Sequence, residues 1–209
     1  KNDGTVWAWG SNVSGQLGDG TSTTTRISPM QVVAGTSGCG TYLCNIAAIA
    51  AGGYHSLALK NDGTVWSWGY NSSYQLGDNT PSNRYTPVQV LAGASGCSTY
   101  LCNIIAVAGG DNHSLALKND NTVWSWGNNG SGRLGDGTII TRHTPVQVVA
   151  GASGGTYLTG ITAIVAGYYH SLALRNDNTV WAWGENGLGQ LGDGTTLDRI
   201  SPVQVIGPT

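Results

Sequence analysis

The chain has 209 residues, nine of them Lys or Arg and eleven Asp or Glu, for a formal net charge of -2. So low and balanced a charge excludes the general attraction that nucleic acid or an anionic lipid surface requires. No apolar run approaches the roughly 18 residues of a membrane span, so membrane insertion is not expected.

Lys1 to Thr5 read K-N-D-G-T and open the chain inside a repeated unit, without an initiator Met. We therefore expect a mature or excised piece of a longer protein. Val6 to Gly10 read V-W-x-W-G, which returns at Val65 to Gly69, Val123 to Gly127 and Val180 to Gly184. The second Trp of each copy (Trp9, Trp68, Trp126, Trp183) recurs at spacings of 59, 58 and 57 residues. A fixed period of this kind marks a supersecondary unit that buries its apolar face only by stacking on its neighbours. The units fall at about 1–45 (incomplete), 46–103, 104–160 and 161–209.

Each complete unit is expected to hold four short strands, in the second copy Ile46 to Ala50, Ser56 to Leu59, Val65 to Trp68 and Val88 to Leu91, all rich in β-branched or aromatic residues. Between the second and third strands, the residue after Asp is Gly4, Gly63, Asn121 or Asn178. Gly and Asn best tolerate positive φ, so a left-handed hairpin turn joins antiparallel strands here. A glycine-rich loop of the form N-x-x-x-Q-L-G-D-G-T follows, and then R-x-[ST]-P. Pro29, Pro87, Pro145 and Pro202 are expected at the entrance of the fourth strand, where a missing N–H does least harm. Short strands and tight turns in a unit of this length point to a β-propeller blade. The period exceeds the roughly 40 to 45 residues of a WD repeat and the roughly 50 of kelch.

The stretch A-G-G-Y-H-S-L-A-L-K-N-D-G-T-V-W-S-W-G, Ala51 to Gly69, followed by N-x-x-x-Q-L-G-D, resembles the regulator-of-chromosome-condensation repeat. The resemblance covers essentially the whole chain. It implies an all-β, seven-bladed propeller fold, of which this chain supplies about three and a half four-stranded blades, a partial ring. The chain departs from the family in an insert, G-T-S-G-C-G-T-Y-L-C-N in the first linker, that lengthens the unit.

That insert and its counterpart carry Cys39 and Cys44, and Cys97 and Cys102; in the third linker, Gly154 to Gly160, both cysteines are absent together. Joint loss favours a local disulfide in each pair, Cys39–Cys44 and Cys97–Cys102, over free thiols or zinc, which would need two loops to converge. Disulfides imply an extracellular or cell-surface location. Glycosylation sequons at Asn12, Asn71, Asn112 and Asn129 are compatible with it.

Residues fixed in every copy are explained by the fold, so function is sought in the others. His55, His113 and His170 are fixed, and each is expected to hydrogen-bond backbone in its own blade. The Asp of L-G-D recurs with Arg26, Arg84, Arg142 and Arg199 as a structural pair, with a calcium site of Asp and Asn oxygens the alternative. Of the charged residues only Asp111, Arg133, Glu185 and Asp198 lie outside the repeat, and they make no acid/base pair. No catalytic residue, metal or cofactor is expected, and the chain is not read as an enzyme.

The two residues before each fixed His vary: Gly53-Tyr54, Asp111-Asn112 and Tyr168-Tyr169. Lying between the first two strands, they are expected to line one rim of the propeller near its axis. Tyr and Arg are favoured in binding hot spots, so Tyr54, Asp111, Asn112, Tyr168 and Tyr169 form the candidate partner surface, with the loop around Tyr70, Tyr74 and Tyr85 next. The resembled family includes an exchange factor for the GTPase Ran, a plant ultraviolet-B photoreceptor, ubiquitin-ligase accessory domains and secreted bacterial inhibitors of β-lactamase, all of which bind protein through the propeller face. Gly, Tyr, Asp and Asn stand where the photoreceptor has tryptophans, so light sensing is not expected. The reading is a non-enzymatic, secreted or cell-surface protein-binding propeller of bacterial type, serving as scaffold, adhesion or inhibitor module. The alternatives are an exchange-factor-like regulator of a small GTPase and a glycan-binding propeller. An arc with open edges is also expected to self-associate or to be completed by further repeats.

Overall fold

The structure, a computed structural model, describes residues 1 and 3–207. It consists of antiparallel strands: β1 (Trp7–Gly10), β2 (Arg26–Gln31), β3 (Ile46–Ala51), β4 (His55–Lys60), β5 (Val65–Gly69), β6 (Arg84–Gln89), β7 (Ile104–Gly109), β8 (His113–Lys118), β9 (Val123–Gly127), β10 (Arg142–Gln147), β11 (Ile161–Ala166), β12 (His170–Arg175), β13 (Val180–Gly184) and β14 (Arg199–Gln204). Three four-stranded meanders, β3 to β6, β7 to β10 and β11 to β14, follow a two-stranded sheet of β1 and β2. The described residues thus make three complete blades and the outer half of another.

The hairpin turns are as the substitution pattern predicts. Gly4, Gly63, Asn121 and Asn178 have φ of 75°, 78°, 62° and 66°. In each turn the Asp side chain accepts the N–H and hydroxyl of the Thr two residues on, as in Asp62 with Thr64 at 3.0 and 2.6 Å. That Thr oxygen in turn accepts the indole N–H of the first Trp of the motif, as with Trp124 to Thr122 at 3.1 Å.

The fourth strand differs from expectation. It begins at the repeated Arg, so Pro87, Pro145 and Pro202 lie inside it and not at its entrance. The register shifts between Ser67 and Gly69, at the stretch of β6 that holds Pro87. An edge strand with a bulge requires no N–H from that residue, which is why proline fits there.

Blades join through apolar seams. One cluster unites Leu57, Leu59 and Val65 of one blade with Ala116, Trp124 and Trp126 of the next. The following seam repeats it with Leu115, Leu117 and Val123 against Ala173, Trp181 and Trp183. Each second Trp also reaches back, Trp68 to the Gln16 carbonyl, Trp126 to that of Gln75 and Trp183 to that of Arg133, all at 2.9 Å. Where β1 lacks two inner strands, Trp9 is 62% exposed, and an apolar cleft lined by Val6, Trp7, Trp9, Ile46 and Ile49 opens beside it.

The repeated loop is a hydrogen-bonded nucleus. In the third copy Asn129 donates to Asp136 Oδ1 at 3.0 Å and to the carbonyls of Thr138 and Ile140, while its own oxygen accepts the Leu134 N–H at 3.0 Å. Asp136 Oδ2 takes the Arg142 guanidinium at 2.6 Å. The Asn thus turns its amide nitrogen to the Asp, and Arg takes the remaining carboxylate oxygen, so both Asp oxygens are answered by protein donors, the arrangement of a loop anchor. Asn12, Asn71 and Asn129 are fully buried in these loops, so three of the four sequons carry no accessible amide.

Both disulfides form within their own linkers, Cys39–Cys44 and Cys97–Cys102. Closing so short a loop contributes about 2 kcal/mol in the chain-entropy model. The two bridged linkers present the carbonyls of Ser37 and Ser95 to Lys60 and Lys118 of the next blade, at 2.9 and 3.0 Å. In the linker without cysteines a short 3-10 turn, Gly151–Ser153, stands instead.

Candidate functional site

The inner ends of the blades are held by a relay. His55 lies 2.9 Å from the Ser114 hydroxyl of the next blade, and His113 lies 3.0 Å from that of Ser171. Ser114 gives its only proton to the Gln75 carbonyl at 2.8 Å, and Ser171 does the same to Arg133. Each imidazole must therefore donate from Nε2, which leaves a buried Nδ1 with no partner. His55 and His113 bond across blades to serine, not to backbone within their own blade as expected, because stacking brings the next Ser onto the ring; His170, in the last blade, has no following Ser to meet among the described residues. The polarity is also wrong for nucleophilic catalysis, since the serine proton points at main chain and not at the base. A Cβ on Gly52 or Gly110 would stand 2.2 or 2.0 Å from the adjoining His ring, which explains the fixed glycine on that flank.

Burial holds His55 at about pKa 4 and His113 at about 3, against an ordinary 6.5. The folded pKa lies below the unfolded one, so the neutral rings stabilise the fold fully above pH 6.5 and lose that contribution as pH falls toward 4. For Asp193 burial works to raise the pKa, but hydrogen bonds from Thr195 and Arg199 outweigh it and hold the carboxyl at about 2. Its contribution is lost only below the ordinary carboxylate value of 3.8. The melting temperature is therefore expected to fall between pH 6.5 and 4, and His113→Gln to flatten that fall; a constant melting temperature across the window would contradict the relay.

On this frame the variable turns join into one surface. The Gly53 N–H donates to the Gly110 carbonyl at 3.0 Å, and the Asp111 N–H to that of Tyr168 at 3.2 Å, so consecutive turns are stitched edge to edge. Tyr54 is 48% exposed and meets Tyr70 edge-on with ring centroids 6.3 Å apart. With Val13, Ser14 and Asn112 these two rings line a cleft of about 340 Å³. Tyr168 is 58% exposed and stands edge-on to Tyr169 at 4.4 Å.

Beneath the rim, the loop of each preceding blade supports the next turn. Gln75 donates to Asn112 Oδ1 at 3.0 Å, and in the following pair the Arg133 guanidinium lies 4.6 Å over the Tyr169 ring. Arg133 is buried, and that burial lowers its pKa against the opposing pull of Tyr169, Glu185 and Asp111. The variable rim residue and the loop residue beneath it are thus matched across these two seams. Gln75 and Arg133 underlie the candidate surface, and their signal in sequence is that Arg replaces Gln in the blade before the paired tyrosines.

Tyr74 and Tyr85 lie elsewhere. Tyr74 adopts φ 61° where the other copies have Gly, and it stacks on His143 with centroids 3.5 Å apart and planes 8° apart. A Cβ on Gly15 would meet the Tyr85 ring at 2.3 Å. Both tyrosines pack the loop of one blade onto the outer strand of the next, whereas Tyr70 joins Tyr54 at the rim.

Residues 1–209 match the family model described as the RCC1-like domain. The chain is 30% identical over 203 residues to the ultraviolet-B receptor UVR8 of Arabidopsis thaliana, covering 97% of this chain and 42% of the receptor. It is 35% identical over 205 residues to the probable E3 ubiquitin-protein ligase HERC4 of Homo sapiens, covering 97% of this chain and 18% of the ligase. Among solved structures, human WBSCR16 superposes with a TM-score of 0.81 at 26% identity, over 100% of this chain and 50% of that one. Yeast RCC1 (Prp20) bound to Kap60 superposes with a TM-score of 0.74 at 22% identity, over 98% of this chain and 45% of that one, a likeness of fold alone. The chain spans less than half the length of the curated relatives it matches. Four V-W-x-W-G copies, blades clipped together by a His–Ser relay, and a match over the whole length make one conclusion: the chain belongs to the RCC1-like domain family.

Proposed function

We propose that the inner rim carrying Tyr54, Tyr70, Asn112, Tyr168 and Tyr169 binds another protein, without catalysis by this domain. The observation that carries this reading is the contrast within each turn. Gly52, Gly110 and the histidines are fixed by close packing, while the two residues between them are free to differ and are hydrogen-bonded into one surface. Exposed tyrosines present large contact area at low entropic cost. The two disulfides support an extracellular or cell-surface setting; a bacterial source, expected from the repeats and low charge, has no support from the plant and human relatives, which are eukaryotic. Further repeats completing the ring, in preference to self-association, are supported by the cleft beside Trp9 and by the share of each relative left unmatched.

A glycan-binding role is favoured by one observation, the cleft of Tyr54, Tyr70 and Asn112. An exchange-factor-like role draws on fold likeness to Prp20 and stands behind both. The test is a photo-crosslinking residue placed at position 168 or, as a control on the exposed hairpin, at position 61. Adducts with a polypeptide from 168 and none from 61 are expected. Equal crosslinking from both positions would contradict the reading, and saturable binding to a glycan array abolished by Tyr54→Ala would favour the second one.

A further inference from the structure

Between the inner turns of the three complete blades lies a pit of about 220 Å³, lined by Gly52, Gly53, Gly109, Gly110, Gly167 and Ala166 together with Asp111 and Tyr168. Glycine and alanine leave it open, and Asp111 is its only charged residue. The repeat does not call for an acid here, since the equivalent residues are Gly53 and Tyr168. Asp111 is 6% exposed. Its Oδ2 takes the amide of Asn112, but its Oδ1 is buried with no hydrogen-bond partner. That oxygen lies over the neighbouring turn, where a Cβ on Gly53 would come within 2.3 Å of it.

The other acids of the fold are answered. The turn aspartates take Thr donors, and the loop aspartates take Arg. The nearby cation, Arg133, stacks on Tyr169 and, among the described residues, makes no ion pair. A desolvated carboxylate with an idle oxygen is costly alone and becomes favourable when a cation with N–H donors meets it.

Building on the protein-binding reading, we infer that this pit receives a cationic side chain of the partner, an arginine or lysine, onto Asp111. The guanidinium or ammonium group meets the Asp111 carboxylate at the floor of the pit, the glycine walls admit the end of its stem, and the Tyr168 ring at the mouth offers a cation–π face. The Tyr168 hydroxyl already lies against the Asp111 carboxylate, whose charge, with that of Tyr169 and the hydrogen bonds to both, raises the hydroxyl pKa, so an entering cation takes the place of that hydroxyl. Arg133 opposes entry at longer range, so returning it to the Gln of the other copies should help.

The test is an NMR titration of the isotope-labelled chain at low salt with N-acetyl-arginine methylamide, using the neutral isostere N-acetyl-citrulline methylamide as control. Saturable shifts at the amides of Gly53, Gly110, Asp111 and Gly167 are expected with the arginine probe alone, at affinity on the order of 1 mM for one side chain. Asp111→Asn should weaken it about tenfold or more through loss of the charge, and Arg133→Gln should strengthen it severalfold. Equal shifts with citrulline, or undiminished binding by folded Asp111→Asn, would overturn the inference. Should Asp111→Asn fail to fold, an Arg133→Gln chain with unchanged affinity would overturn it equally. Crosslinking at position 168 with no arginine response would sink the pit while sparing the rim.

Discussion

Replacing Trp126 with Ala is expected to destabilise the chain by about 3 to 5 kcal/mol, whereas the same change at Trp9 should cost within about 0.5 kcal/mol. The two residues occupy the same place in the same motif. Trp126 is fully buried in the seam with Leu57, Leu59 and Val90, and its indole N–H holds the Gln75 carbonyl at 2.9 Å. Removing it leaves a cavity between blades and loses the bond that docks one blade's loop on the next. Trp9 has no preceding blade over it. Urea unfolding of both variants checks the difference; equal losses would mean that the seams do not hold the array together.

The second large effect is expected from a single-atom change. Asn129→Asp turns the amide donor of a fully buried side chain into an acceptor 3.0 Å from Asp136. It also removes the donors to Thr138 and Ile140. An unanswered buried charge beside a carboxylate costs about 3 to 5 kcal/mol, and the loss should shrink on acidification as one carboxyl takes a proton. Asn61→Asp, on the exposed hairpin, should move stability by about 0.5 kcal/mol or less. Thermal melts at neutral and mildly acidic pH check both, and a tolerant Asn129→Asp would show that the loop is not the nucleus described.

What the sequence made legible depended on whether the cause was local. The left-handed turn at Asn121 and Asn178 could be read because only a φ requirement explains exchange with Gly4 and Gly63. The disulfides could be read because both cysteines leave the third linker together. Pro87 misled because proline in a strand is normally disfavoured, and nothing local reveals that this strand is an edge with a bulge. The His113–Ser171 bond spans 58 residues and exists only once blades stack, so a local reading supplied backbone as the partner. The rim was legible as variation between fixed flanks. Its support was legible only as the Arg that replaces Gln at position 133; the stacking of Arg133 on Tyr169 and of Tyr74 on His143 arises from tertiary packing alone.

The same geometry decides which rim residue to truncate. Tyr169 is half-buried over Arg133, so its removal disturbs the seam as well as the surface, while Tyr168 stands 58% exposed and free of that coupling. The most direct measurement is therefore the affinity of Tyr168→Ala for the partner crosslinked from that position, with the melting temperature confirmed unchanged. A loss of about 30-fold or more, the effect of a hot-spot residue of about 2 kcal/mol, is the predicted result; an affinity equal to that of the unaltered chain would contradict the assignment of the rim as the binding surface.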